Sequence, residues 1–236
     1  VTGPSKLRLL GMIGDADGNA LNTRQFALAP IACRQRPRVI VVCGTAMDSG
    51  KPHTAMSLVA GMRRQEQRVA AIKLTGTASG RDTWQVLDAG AEPALDFIDG
   101  GYASTYLCTL DELLALYELL IAHASAAEAA WVVIEIADGL LQQETAALLS
   151  APQFTATVDT WVFATSDPVA AMGGINALRR WGIDPVAISG LISMSPPAMR
   201  EAQAATGVTC YTAKELQRGK LYLRLRDAIP AAVYAV

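Results

Sequence analysis

Residues 38 to 54 read RVIVVCGTAMDSGKPHT, an apolar run that empties into a glycine-containing loop carrying a lysine and then into residues of helical spacing. Val39, Ile40, Val41 and Val42 form the short β-branched run of a parallel strand that is buried on both faces. Gly44 and Gly50 let the backbone turn its amides inward, and Lys51 adds a point charge. A helix starting near Pro52 aims the positive end of its dipole at the same place. Three sources of positive potential converge. The stretch containing Gly44, Thr45, Asp48, Ser49, Gly50, Lys51, Pro52, His53 and Thr54 therefore reads as a loop that binds a phosphate chain.

Downstream of this loop helical and extended patterns alternate. A helix is expected over 52–67, a strand over 68–74, a helix over 82–91, a short strand over 94–98, a long amphipathic helix over 109–127 and a strand over 131–136. Further strands are expected over 160–165, 186–192 and 208–211, separated by helices 168–181 and 197–206. A short helix and an apolar tail follow over 213–236. This βαβ alternation predicts an α/β fold with a mainly parallel central sheet flanked by helices in three layers. Upstream, apolar segments 7–13 and 20–28 flank the turn GDADGN and read as an N-terminal β-hairpin. Asp15, Asp17 and Asn19 are spaced like the start of a calcium loop, but no glutamate follows at the bidentate position, so the turn reading prevails. The chain divides into residues 1–36, a hairpin segment expected to end a preceding region, and residues 37–236, one α/β domain.

At 236 residues the chain can bury a full core. Hydrophobic residues make up 51% and charged residues 18%, with a net charge of −2, which excludes both disorder and an electrostatic nucleic-acid surface. A small-molecule ligand is expected, with no nucleic-acid and no membrane partner. No apolar run reaches the length of a membrane span and the first residues lack signal-peptide order, so a cytoplasmic location is expected, as is a homo-oligomer, specifically a homodimer. Cys33, Cys43, Cys108 and Cys210 lack metal or redox spacing and read as reduced packing residues.

Five residues rather than four separate Gly44 from Gly50, so GTAMDSGK departs from the common phosphate-loop spacing. It resembles the GTxxxxGK loop of the dethiobiotin synthetase branch of P-loop NTPases, in which ATP activates a carboxylate or carbamate. The resemblance spans about residues 38–215. It implies a P-loop NTPase fold, ATP and Mg²⁺ as cofactors, and ligase or synthetase chemistry. A lysine at the end of the family's second strand holds the substrate, and Lys73 in KLTGTASG occupies the matching place. The family's Mg²⁺ ligands would correspond to Asp82 and to Glu135 in IEIADG. Where the family has a Thr or Ser hydroxyl on the metal, this chain has Pro52. The adenine-gripping asparagine has no counterpart in GLISMSPP, which leaves the base open between ATP and GTP. The loop, KLTG, the Arg81–Asp82 pair and the SP segment near Ser195 also resemble a P-loop family that includes D-glutamate N-acetyltransferases, and this implies acetyl-CoA as an alternative donor.

Lys51, Lys73 and Glu135 are the candidate catalytic residues. Lys73, Thr75, Thr77, Arg81, Asp99, Tyr102, Ser104 and Thr105 are candidate substrate contacts, because loops after parallel strands line the ligand crevice. Ordinary readings stand beside these. Lys73 suits a snorkelling strand-end lysine, Asp82 a helix cap, and Asp48 a solvated loop residue; His53 and His123 suit surface or packing positions. Glu135 follows four apolar residues, where a carboxylate is costly unless paired or on a metal. Three functions follow: ATP-dependent activation of a small carboxylate-containing substrate, N-acyl transfer to an amino acid with the coenzyme A diphosphate in the loop, and nucleotide binding without turnover.

Overall fold

Along the chain the strands are β1 (Arg38–Gly44), β2 (Val69–Lys73), β3 (Ala94–Asp96), β4 (Trp131–Glu135), β5 (Thr160–Ala164) and β6 (Ala187–Ser189). The helices are α1 (Lys51–Arg63), α2 (Gly80–Asp88), α3 (Leu110–Ala126), α4 (Gln143–Leu149), α5 (Pro152–Thr155), α6 (Pro168–Arg180), α7 (Pro196–Thr206), α8 (Ala213–Gln217) and α9 (Lys220–Ala228). The computed structural model describes residue 6 and residues 8–228; the apolar tail expected after residue 228 lies outside them.

The six strands form one sheet in the order β3-β2-β4-β1-β5-β6, and every pairing is parallel. β1 sits in the interior because its apolar run serves two cores. Val39, Val41 and Cys43 pack with Leu116, Leu120, Phe154 and Leu178 on one face, while Ile40 and Val42 pack with Leu58, Val59, Met62 and Tyr222 on the other. Each fully buried valine or isoleucine of this kind stabilises the fold by about 1.5–3 kcal/mol. The result is the expected three-layer architecture. Close approach of α1 to α8 depends on Gly61, where a Cβ would stand 1.9 Å from the Leu216 carbonyl oxygen.

Helix α3 starts as its sequence reads: Thr109 accepts from the Glu112 amide at 3.3 Å and Glu112 accepts from the Thr109 amide at 2.9 Å. Other expected elements contract. The strand expected over 186–192 stops at Ser189 and passes into a 3₁₀ turn at Leu191–Met194. The one expected over 208–211 is a single bridge between Ile188 and Cys210. Among the described residues the four cysteines are free, and Cys43 is buried.

The N-terminal hairpin is a minimal one, with a bridge between Gly14 and Ala20 closed by the Leu21 amide on the Ile13 carbonyl at 2.8 Å. Its second arm becomes a 3₁₀ turn at Thr23–Phe26, capped by Asn22. The strand-like residues Leu9, Leu10, Met12 and Ile13 are exposed. From there the segment runs along α3, held by the Leu28 amide on the Asp99 carbonyl (2.7 Å), a His123 ring nitrogen 2.9 Å from the Ala29 carbonyl, and the Ser125 hydroxyl on the Gln35 carbonyl (2.7 Å). His123 thus has the packing role that its isolation in the sequence allowed.

Candidate functional site

Sheet order places the carboxyl ends of β2, β4 and β1 side by side, at the point where the chain reverses its direction of travel across the sheet. Crevices outside such a switch point receive the ligand in open parallel sheets. Register does the rest. Glu135 pairs with Lys73 on one side and with Val42 on the other, two residues before Gly44. A cleft of about 530 Å³ opens there, lined by the phosphate loop, Lys73, Arg81, Asp82, Glu135 and Asp138.

The loop is built from close approaches. A Cβ at Gly44 would lie 2.5 Å from the Ser49 hydroxyl and 2.7 Å from the Ala164 carbonyl. Gly50 caps α1 in the left-handed region (φ 92°), and Pro52 sits in the first helical turn, where it displaces no hydrogen bond. Gly190 (φ 93°) lies against the loop, where a Cβ would stand 2.2 Å from the Ser49 carbonyl; that carbonyl accepts the Leu191 amide at 3.1 Å. Gly139 touches the other side, with Thr45 and Ala46 where its Cβ would be. The loop is clasped from both flanks.

Within it, Lys51 is only 3% exposed and donates to the Ala46 carbonyl at 2.7 Å, not the exposed position expected of a loop lysine. Burial holds its ammonium below the usual lysine range, and Glu135 and Asp138 oppose that. The Ser49 hydroxyl is buried and lacks a hydrogen-bond partner among the described residues. An unpartnered hydroxyl at the base of this loop is a donor available to a ligand. The Thr54 hydroxyl donates to the Gly50 carbonyl at 2.9 Å and so belongs to the helix. Thr45 is half-buried, while Asp48 and His53 are exposed at the rim.

Deeper in the cleft, burial pushes the Glu135 carboxyl up to about 7; Lys73 opposes the rise, Asp82 adds to it, and Lys51 opposes it. Lys73 is ion-paired with Asp82, both side chains being largely buried at 12% and 19% exposure. Asp82 therefore does not cap α2, which Ser79 precedes. Arg81 is exposed on the cleft wall.

The other candidate substrate residues divide. The Thr75 hydroxyl accepts the Ala137 amide at 2.9 Å and the Thr105 hydroxyl accepts the Gly76 amide at 2.8 Å, so both are buried, Thr75 joining the loops after β2 and β4 and Thr105 those after β2 and β3. Thr77 and Ser104 form an antiparallel bridge beside them. Asp99 accepts the Asp96 amide at 2.8 Å and anchors the N-terminal segment, and Tyr102 lies under the Arg24 guanidinium, 5.4 Å from the ring centre. Of the candidate substrate residues the cleft is lined by Lys73 and Arg81, and not by Thr75, Thr77, Asp99, Tyr102, Ser104 or Thr105. The structure adds Asp138 (φ 62°) to the cleft and Gly139 and Gly190 to the flanks of the loop, in the stretches EIADG and GLISMSPP.

A larger cleft of about 820 Å³ lies at the opposite, amino edge of the sheet and contains Arg34, Arg36, Arg38 and Arg68. Three of these arginines are engaged within the protein: Arg36 with Glu118 at 3.1 Å, Arg68 with Glu128, and Arg38 over the Trp131 ring at 5.2 Å.

Asp82 and Glu135 were expected to hold Mg²⁺, with Pro52 in place of the family's loop hydroxyl. The donor set does not fit that expectation. Pro52 offers no hydroxyl, and the Lys73 ammonium is ion-paired with Asp82, at one of the two carboxylates the ion would need. No helix among the described residues is long and apolar enough to cross a membrane.

The chain matches no protein-family model and no curated protein. Among solved structures it is similar to the signal recognition particle 54 kDa protein of Aeropyrum pernix K1 in complex with GDP, at 16% identity and a TM-score of 0.53 over 81% of this chain and 46% of that one. It is also similar to the signal recognition particle receptor FtsY of Elizabethkingia anophelis, at 12% identity and a TM-score of 0.51 over 80% of this chain and 61% of that one. The chain thus spans less than two thirds of the length of either neighbour. At these identities the likeness carries the fold and not the dethiobiotin synthetase branch. The described residues share the three-layer α/β fold of these neighbours, with the 44–51 loop directly after β1.

Proposed function

We propose that this chain is an enzyme that anchors the diphosphate of a donor molecule in the 44–51 loop and transfers a group from that donor to a small carboxylate-containing acceptor. The observation behind this reading is the convergence of Lys51, Lys73 and Glu135 in one cleft at the mouth of a clasped phosphate loop. The similar signal recognition particle protein holds GDP, which supports a nucleoside diphosphate as the anchored group. Arg81, on the cleft wall, meets the acceptor's carboxylate, and Lys51, Lys73 and the loop amides meet the donor's phosphates.

Two donors suit this arrangement. With ATP, an acceptor carboxylate oxygen attacks the γ-phosphorus, the bond to the β-phosphate oxygen breaks, and ADP leaves; Mg²⁺ supplies charge neutralisation in such reactions. With acetyl-CoA, the acceptor's amine attacks the thioester carbon, a C–N bond forms and the C–S bond breaks. The amine's proton passes to Glu135, and the sulfur leaves as a thiol once protonated. Glu135 favours the second reading, because a buried carboxyl pushed up to about 7 accepts a proton near neutral pH, and because the expected metal set does not fit. Incubation with ATP or acetyl-CoA and a panel of amino acids, followed by product mass spectrometry, separates the two. An N-acetyl amino acid formed without ADP supports acyl transfer, ADP with an activated carboxylate supports the ligase reading, and no product from either donor rejects the enzyme assignment.

A further inference from the structure

We infer that Lys73 takes the place of a divalent cation in this cleft, so that a polyphosphate is held by two lysines and the loop amides without Mg²⁺. This deepens the phosphate-loop reading and rests on it. Three independent observations meet here. Pro52 stands where a metal-ligating hydroxyl would be, and proline has no side-chain donor atom to offer. The parallel register of β2 and β4 sets Lys73 opposite Glu135, and its ammonium is ion-paired with Asp82. The two carboxylates that would have gripped a metal therefore already flank a cation. Lys73 and Lys51 also line the same cleft, so one phosphate chain bound there faces both ammonium groups.

The substitution has a chemical logic. A hard divalent ion neutralises phosphate oxygens while held by carboxylates, and an ammonium with three donors can do both on a smaller scale. Lysine is fixed to the chain, so its position does not depend on ion concentration. Mg²⁺ entering this cleft would have to displace the ammonium from Asp82, a partner shielded from solvent. In this arrangement Asp82 is a counterion that competes with the ligand for Lys73, and removing it strengthens anion binding. If Asp82 were a metal ligand, removing it would weaken binding whenever Mg²⁺ is present. The two roles predict opposite signs.

The test is calorimetric titration of the whole chain with inorganic pyrophosphate, which avoids any dependence on base recognition. It is run in EDTA and in Mg²⁺, on the parent, Asp82→Asn, Lys73→Met and Lys51→Ala. The expected result is parent affinity in Mg²⁺ no tighter than in EDTA, to within about twofold. Asp82→Asn should bind tighter in both conditions, and Lys73→Met about tenfold more weakly in both, as befits loss of a charge-assisted contact. Tightening of the parent by about tenfold or more on adding Mg²⁺, or weaker binding by Asp82→Asn in Mg²⁺, overturns the inference while leaving the phosphate loop intact. Parent affinity that Lys51→Ala leaves unchanged, or no binding by the parent at all, overturns the phosphate loop itself and the inference with it.

Discussion

Glu135 is a carboxylate at the end of a buried strand, 6% exposed, and its surroundings set a pH dependence that can be measured. Its folded value of about 7 lies above the ordinary 4.5, so the folded chain retains a proton that the unfolded chain releases. The sign follows: this position weakens the fold as pH rises from about 4.5 to about 7, and its contribution is level above that. Glu135→Gln has no charge to desolvate. Its melting temperature relative to the parent should climb across that window and then stay flat, and a pH-independent difference would rule the buried carboxylate out as the cause. Lys51 invites a companion experiment. Lys51→Met removes a buried ammonium but keeps an aliphatic stem, so phosphate binding should drop by about tenfold while the melting temperature moves little. Equal pyrophosphate affinity in variant and parent, read by calorimetry, would count against the loop.

Among the elements, β1 and the start of α1 were the most legible in the sequence, because a run buried on both faces leaves no ambiguity about which residues point inward. Lys73 and Glu135 were legible for a related reason: a charge directly after apolar strand residues has only the strand's carboxyl edge to occupy. Asp99 and Tyr102 were not, since a polar loop after a strand looks the same whether it faces a ligand or a neighbouring segment of its own chain. Here the N-terminal segment claims both. The short strands expected near residues 186–192 and 208–211 contract because sheet edges lack a second neighbour to extend the pairing. Tight interfaces were equally invisible, Gly61 above all. Gly61→Ala should destabilise the fold by about 1–3 kcal/mol in chemical denaturation, because the α1–α8 contact has no room for a methyl group. It should leave pyrophosphate affinity within about twofold. Unchanged stability would show that α8 is free to shift.

At the scale of the whole molecule, the sheet order brings residues 73, 82 and 135 within reach of the loop at residues 44–51, and no local pattern could have announced the Lys73–Asp82 pairing that alters the chemistry of the cleft. The metal expectation came from the resemblance, and the Lys73–Asp82 ion pair sets a different arrangement of charge beside it. The clasp between Gly190 and Ser49 extends the site across the sheet, joining a loop after β6 to one after β1 through the single amide of Leu191. That amide acts as a reporter. When an anion orders the phosphate loop, its opening fluctuations should be suppressed even though Leu191 is remote from Lys73 in sequence and belongs to another strand's loop. Hydrogen–deuterium exchange at Leu191 should therefore slow on addition of pyrophosphate in step with exchange at Lys51, and the two loops would open and close as one unit of local stability.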